Sequence, residues 1–454
     1  MKIRSIDPFT ERILREYEAL EFGECAAAAS KAREALRGWR ELGVSVRSEC
    51  VRKAGALLKA ERRRYAELAT REMGKPIAQS LAEIDKCAWL CDFYAEAAAG
   101  FLRDEVVETG AAKSYVAFEP LGVILGVMPW NFPFWQVFRF AIPAMAAGNA
   151  CLLKHASNVP GTALEIEKIM MGAGFPPGLF RTLLIGPEAA MKLIAQDLVD
   201  GVSLTGSVEA GARVGAVAGA GLKKLVLELG GSDPFIVLED AELPGAVETA
   251  VASRFLNGGQ SCIAAKRMIV AAGVFDEFFE RLAAAVAGFT IGDPMDEAVF
   301  IGPMAKRESV NALGVQLEDA VRKGARIVRG PVPPAGPGFF FRPALLGSVS
   351  TDMKVMTEEV FGPIAPVISA AGDEEILRLA NSADFGLGAS VWSRDLDRAA
   401  RMARRLETGC VAINDMVKSD PRLPFGGVKK SGFGRELSHF GLKEFTNAKT
   451  VVIR

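Results

Sequence analysis

Cys262 closes the run Asn257-Gly258-Gly259-Gln260-Ser261-Cys262, and upstream of it stands Glu228-Leu229-Gly230-Gly231. A thiol is the best side-chain nucleophile near neutral pH, but it needs thiolate character and a positioned partner. Here a Cys follows one Gly-Gly step and a carboxylate precedes another, so a nucleophile and a candidate base are both present. Glycines before the Cys let the backbone approach a substrate or cofactor where a Cβ would collide. Taken alone the Cys stays ambiguous, since buried cysteine is also a common core residue. A third group is Pro129-Trp130-Asn131-Phe132-Pro133. Two prolines hold a short turn around one Asn amide, a donor suited to a developing oxyanion.

A phosphate-binding side is also present. Gly206-Ser207-Val208-Glu209-Ala210-Gly211 follows an expected strand and opens a helix, where free amides favour phosphate oxygens. A Gly-x4-Gly run is weak evidence by itself, and an ordinary turn explains it equally well. It gains weight from Lys154-His155-Ala156-Ser157, which ends another strand of the same expected sheet. An acidic residue would bind a ribose diol and repel a 2′-phosphate. None stands in that tetrapeptide, so NADP is expected, with NAD possible.

The elements that must position these groups come next. A chain of 454 residues is too long for one core, and two or three domains are expected. Half of it is apolar and the formal net charge is −1, which gives no reason to expect nucleic acid or an anionic membrane as partner. The seven cysteines have no spacing framework, which points to a reducing compartment and free thiols. The N-terminus lacks the apolar segment of a signal peptide, so a cytoplasmic enzyme is expected. The uncharged stretch from Pro120 to Phe138 contains Pro120, Pro129 and Pro133, with Asn131 and Gln136, and cannot be a clean spanning helix.

Residues from about 24 to 100 carry helical spacing, and 101–122 read as an extended arm. From Gly122 strands and helices alternate: strands at 123–127, 151–154, 181–185, 201–204 and 224–228, and helices at 133–147, 160–172, 188–196 and 206–219. Such alternation is what a doubly wound parallel sheet requires. A second α/β stretch spans about 234–414, with strands at 235–238 and 389–392. A last strand at 450–453 is expected on a sheet edge. The expected division is a dinucleotide-binding domain of 1–100 and 123–230, a catalytic domain of 231–430, and an arm of 101–122 and 431–454.

With Asn131, Glu228, Cys262, Glu359 in Glu358-Glu359-Val360-Phe361-Gly362-Pro363, and the run Pro424 to Glu436, the chain resembles the aldehyde dehydrogenase superfamily over nearly its whole length. The resemblance implies an α/β fold with a Rossmann-type cofactor domain, an α/β catalytic domain and a small β oligomerisation arm, assembled as a homodimer or homotetramer. It implies that Cys262 attacks an aldehyde, that Asn131 and the Cys262 amide hold the oxyanion, and that Glu228 activates water, with Glu436 as a relay behind it. Glu359 and Phe361 would meet the nicotinamide ribose. Trp130, Lys154, Ser157, Gly206, Ser207, Gly211 and Leu229 would hold the rest of the nucleotide. No metal is implied.

Within the superfamily, the stretches Phe134 to Arg139, Lys154 to Ala156 and Lys418 to Phe425 look like the shorter bacterial succinate-semialdehyde dehydrogenases. That likeness makes Arg139 the expected anchor for a distal carboxylate, with Arg422 as a weaker second. An aliphatic, aromatic or other carboxylated aldehyde, such as glutarate semialdehyde, is the alternative substrate. Mammalian-type relatives carry an Arg where Leu256 stands and a second Cys where Ala264 stands. No local disulfide switch is therefore expected at Cys262.

Overall fold

The computed structural model describes residues 2–454. Its first sheet has six strands, in the spatial order Gly432–Phe433, Lys224–Glu228, Gly201–Thr205, Val123–Met128, Ala150–His155 and Phe180–Thr182. All neighbours are parallel except Gly432–Phe433, which runs antiparallel to Lys224–Glu228. The central strands are buried almost throughout, as apolar runs covered on both faces must be. Helices Trp135–Ala146, Pro160–Gly172, Pro187–Ala195 and Val208–Ala220 form the crossovers. Four N-terminal helices, Phe22–Glu41, Val44–Ala60, Arg62–Met73 and Ile77–Phe101, share the same core.

The expected alternation is present, with shifted ends that have local causes. The helix expected from Gly206 starts at Val208, because Ser207 is its cap and accepts from the Ala210 amide at 3.2 Å. The helix expected from Pro133 starts at Trp135 and stops before Gly148, which takes φ +102°. The strand expected at 181–185 is the short edge strand Phe180–Thr182.

The second sheet has seven strands: Arg326–Arg329, Ala344–Gly347, Ile364–Ala370, Ala265–Ala271, Asp233–Val237, Gly388–Trp392 and Cys410–Ile413. Only the first is antiparallel to its neighbour. A third sheet pairs Thr446–Ile453 with Lys113–Pro120 and Glu105–Val106. The last strand is longer than expected and pairs with this chain's own arm. The segment before it does not join the arm: Gly432–Phe433 returns to the six-stranded sheet. No helix among the described residues is long and apolar enough to cross a membrane.

Candidate active site

The nucleophile loop precedes strand Ala265–Ala271. Asn257, Gly258 and Gly259 take φ of 54°, 61° and 76° in succession, a left-handed path that favours glycine. A Cβ on Gly259 would lie 2.5 Å from the Gly362 carbonyl oxygen. Gly259 therefore serves close packing of this loop against Gly362, a role the sequence did not show. Lys266 secures the far side, its Nζ donating to the carbonyls of Ser261 at 2.7 Å and Cys262 at 2.6 Å. Gly231 has the same purpose across the gap, since a Cβ there would meet the Cys262 carbonyl at 2.5 Å. Burial pushes the Cys262 thiol up to about 12, with Lys266 and Arg139 pulling the other way. A base must take its proton as the S–C bond forms.

Asn131 is buried beside this loop. Its Nδ2 donates to the Gln260 carbonyl at 3.0 Å, and Asn257 Nδ2 donates to the Asn131 carbonyl at 2.8 Å. An amide nitrogen has two donors, so one is free for an oxyanion. The turn is held from below by His155. The ring's Nδ1 accepts from the Ala156 amide at 2.9 Å and its Nε2 donates to the Pro133 carbonyl at 2.9 Å. Burial pushes its pKa down to about 4, so the ring is a neutral staple and not a catalytic base. Glu83 completes the support: its Oε1 accepts from the Phe134 and Trp135 amides, each at 2.8 Å, capping the next helix while it pairs with buried Lys75.

Glu228 ends its strand and is buried with neither carboxylate oxygen hydrogen-bonded. Burial raises its pKa well above the usual carboxylate range, and neighbouring Glu436 adds to the rise while Arg139 opposes it. Glu436 is itself buried, ion-paired to Arg139 and accepting from Ser203 Oγ at 3.3 Å. The expected relay residue thus lies near the base, with its charge committed to Arg139.

Cys262 opens on a cavity of about 350 Å³ lined by Phe132, Trp135, Phe425 and Val417, with Arg139 and Lys86 among its polar members. Arg139 reaches this cavity; its Nε is ion-paired to Glu436 and its guanidinium lies over the Phe425 ring at 4.8 Å. Arg422 does not reach it. Its side chain is 66% exposed and paired with Asp420 at 2.7 Å, because a two-residue step within one loop satisfies both charges locally.

On the nucleotide side, Lys154, Ser157, Gly206 and Glu228 all follow or end strands of one parallel sheet at their carboxyl ends. Glu359 Oε1 accepts from the Gly231 amide at 3.1 Å and lies 3.3 Å from Lys266 Nζ. Phe361 meets Trp130 edge to face at 5.8 Å. Gly211 allows its helix onto Leu229, where a Cβ would come within 2.5 Å of a Leu229 methyl. Lys154 is held below its usual pKa by burial and by nearby Lys306, whose Nζ lies 5.9 Å from the Trp130 ring centroid. Neither lysine has a carboxylate partner among the described residues, and both polar atoms of the Asn158 side chain are buried without one.

A profile of the aldehyde dehydrogenase family matches residues 1–451. The chain belongs to that family. It is 48% identical over 453 residues, covering 100% of both chains, to a probable NADP+ succinate-semialdehyde dehydrogenase of Synechocystis. It is 46% identical to an NAD(P)+ succinate-semialdehyde dehydrogenase of Escherichia coli, over 98% of this chain and 97% of the relative. A succinic semialdehyde dehydrogenase from Streptococcus pyogenes, solved with NADP+, superposes with a TM-score of 0.97 at 34% identity and 99% coverage of each chain. The α/β fold and NAD(P)-dependent oxidoreductase chemistry follow from membership of this family.

In this aldehyde dehydrogenase, sequence reasoning missed Lys86, Lys266, Lys306, Glu83 and His155. His155 stands in the Lys154–Ser157 run without a role of its own there, and the others lie in no run that advertises chemistry. Lys266, four residues past the nucleophile, was the one nearest to a visible signal. Gly259→Ala is expected to lower Tm and kcat together, since left-handed strain of about 1–3 kcal/mol adds to a backbone clash. Differential scanning fluorimetry beside an initial-rate assay checks it, and an unchanged Tm would contradict the packing role.

Proposed function

We propose that this aldehyde dehydrogenase oxidises succinate semialdehyde to succinate, preferring NADP. The observation that carries the reading is the mainly apolar cavity at Cys262, of a size for a short chain and lined by more cationic than anionic side chains. The named activities of the Synechocystis and Escherichia coli relatives support it.

Cys262 attacks the aldehyde carbon, its proton passing to a base. The oxyanion of the thiohemiacetal is held by an Asn131 amide hydrogen and the Cys262 amide. NADP+, when bound, would accept the hydride from the thiohemiacetal carbon, and Cys262 would keep the acyl group as a thioester. Glu228 then takes a proton from water as it attacks, releasing the acid and the thiol. Glu359 and Phe361 would hold the nicotinamide ribose, and Trp130, Lys154, Ser157, Gly206, Ser207, Gly211 and Leu229 the remainder. The two unpaired lysines near exposed Ser157 suit a 2′-phosphate.

A panel of aldehydes differing in chain length and terminal charge, run with both cofactors, tests the reading. Succinate semialdehyde with NADP should give the highest kcat/KM, and preference for an uncharged aldehyde or for NAD would sink it. Ser157→Glu should cost NADP on the order of 100-fold in kcat/KM, because like charges juxtaposed cost several kcal/mol. NAD should be spared.

The six-stranded unit is taken as the cofactor domain, the seven-stranded unit as the catalytic domain, and the third sheet as an oligomerisation arm. Val106, Val452 and Ile453 are exposed on that arm. Light scattering should therefore report a homodimer or homotetramer.

A further inference from the structure

The charges around the cavity can be accounted for one by one. Glu83 is paired with Lys75, Arg139 with Glu436, and Lys418 with Asp415. Lys86 remains. It lies on helix Ile77–Phe101, lines the cavity that holds Cys262, and makes no ion pair among the described residues. Its Nζ donates to Ser419 Oγ at 2.7 Å and lies 4.2 Å from the Trp135 ring centroid. Asp420, the acid next along the loop, is committed to Arg422 through two contacts at 2.9 and 2.7 Å. Arg422 thus shapes the site indirectly, by taking up the carboxylate that would otherwise neutralise Lys86.

A partly buried ammonium without an ion-pair partner carries a desolvation cost that a ligand carboxylate would relieve. Burial, with nearby Arg139, pushes the Lys86 pKa down to about 8. It is still charged at neutral pH, and an incoming carboxylate relieves the cost of its burial.

We propose that Lys86, beside Arg139 on the same cavity wall, binds the distal carboxylate of the substrate and sets the preference for carboxylated aldehydes. Ser419, already accepting from Lys86, keeps its hydroxyl hydrogen for the same carboxylate. The inference rests on the reading that the substrate is a carboxylated aldehyde.

The test compares wild type, Lys86→Gln and Lys86→Arg by the ratio of kcat/KM for succinate semialdehyde to that for butanal. Lys86→Gln should lower the ratio about tenfold or more, as loss of a charged hydrogen bond does, chiefly through KM. Lys86→Arg should recover most of it. Succinate should raise the Tm of wild type and not that of Lys86→Gln. A ratio within about twofold of wild type, or equal losses on both aldehydes with a fallen Tm, would overturn the proposal and make Lys86 a structural tie to Ser419. If wild type itself shows no preference for succinate semialdehyde over butanal, the substrate reading fails instead, and that result is visible before any variant is made.

Discussion

Glu228→Gln should turn over about once per active site and then stall. The amide keeps the shape but cannot take a proton from water, and general-base assistance contributes about 10²–10⁴-fold. Rapid mixing with NADP and succinate semialdehyde should show a burst of reduced cofactor matching the enzyme concentration, then a steady rate lowered by that factor. Intact-mass measurement should find one acyl group held on Cys262. Steady turnover near the wild-type rate would remove Glu228 from the water step. The wild-type pH profile follows from the same residue. Burial raises the Glu228 pKa, so the basic form appears only as pH rises through that raised value, and kcat should fall away on the acid side at a pH above the ordinary carboxylate range. The stability contribution has the opposite sense: a buried neutral carboxyl is favourable at low pH and becomes a liability as pH rises through the folded-state value.

Glu83→Ala should destabilise the protein by about 3–5 kcal/mol, the range for removing one partner of a buried ion pair. Lys75 would then be left charged and enclosed, and the Phe134 and Trp135 amides would lose their acceptor. The damage should extend to rate, because those amides begin the helix that fixes the Asn131 turn. Denaturant unfolding should show Lys75→Met with Glu83→Leu to be less damaging than Glu83→Ala alone, since the pair is removed as a unit. An additive double variant would show that the two do not act together.

The parallel sheets could be read from the chain because each strand is a short apolar run between turn residues. Asn131, Glu228 and Cys262 stood out because each lies in a local run of Pro or Gly. The partners that Arg139 and Arg422 have in the fold were not legible in the sequence, for a physical reason. A guanidinium shows in sequence that it can bind a carboxylate, not which carboxylate it binds. Arg139 found Glu436 from the far end of the chain, and Arg422 found Asp420 two residues away. Lys86 was invisible for the converse reason: on a helix with charges at its other positions it resembles a solvated residue, and only the packing of Ile77–Phe101 against the Trp135 helix encloses it. The Gly-Gly step before Cys262 was seen correctly as a place of close approach, but what approaches is Gly362.

The return of Gly432–Phe433 to the strand that carries Glu228 bears on how the enzyme comes into being. During synthesis Cys262 emerges well before the residues that border its base, and N-terminal parts of a chain fold first. The six-stranded sheet cannot close its edge, nor Arg139 meet Glu436, until Gly432 to Glu436 have been made. A nascent chain halted before Gly432 should therefore be unable to oxidise aldehydes, however well its seven-stranded sheet has formed. The thiol therefore acquires its full surroundings only after Gly432–Phe433 and Glu436 have joined the sheet that carries its base.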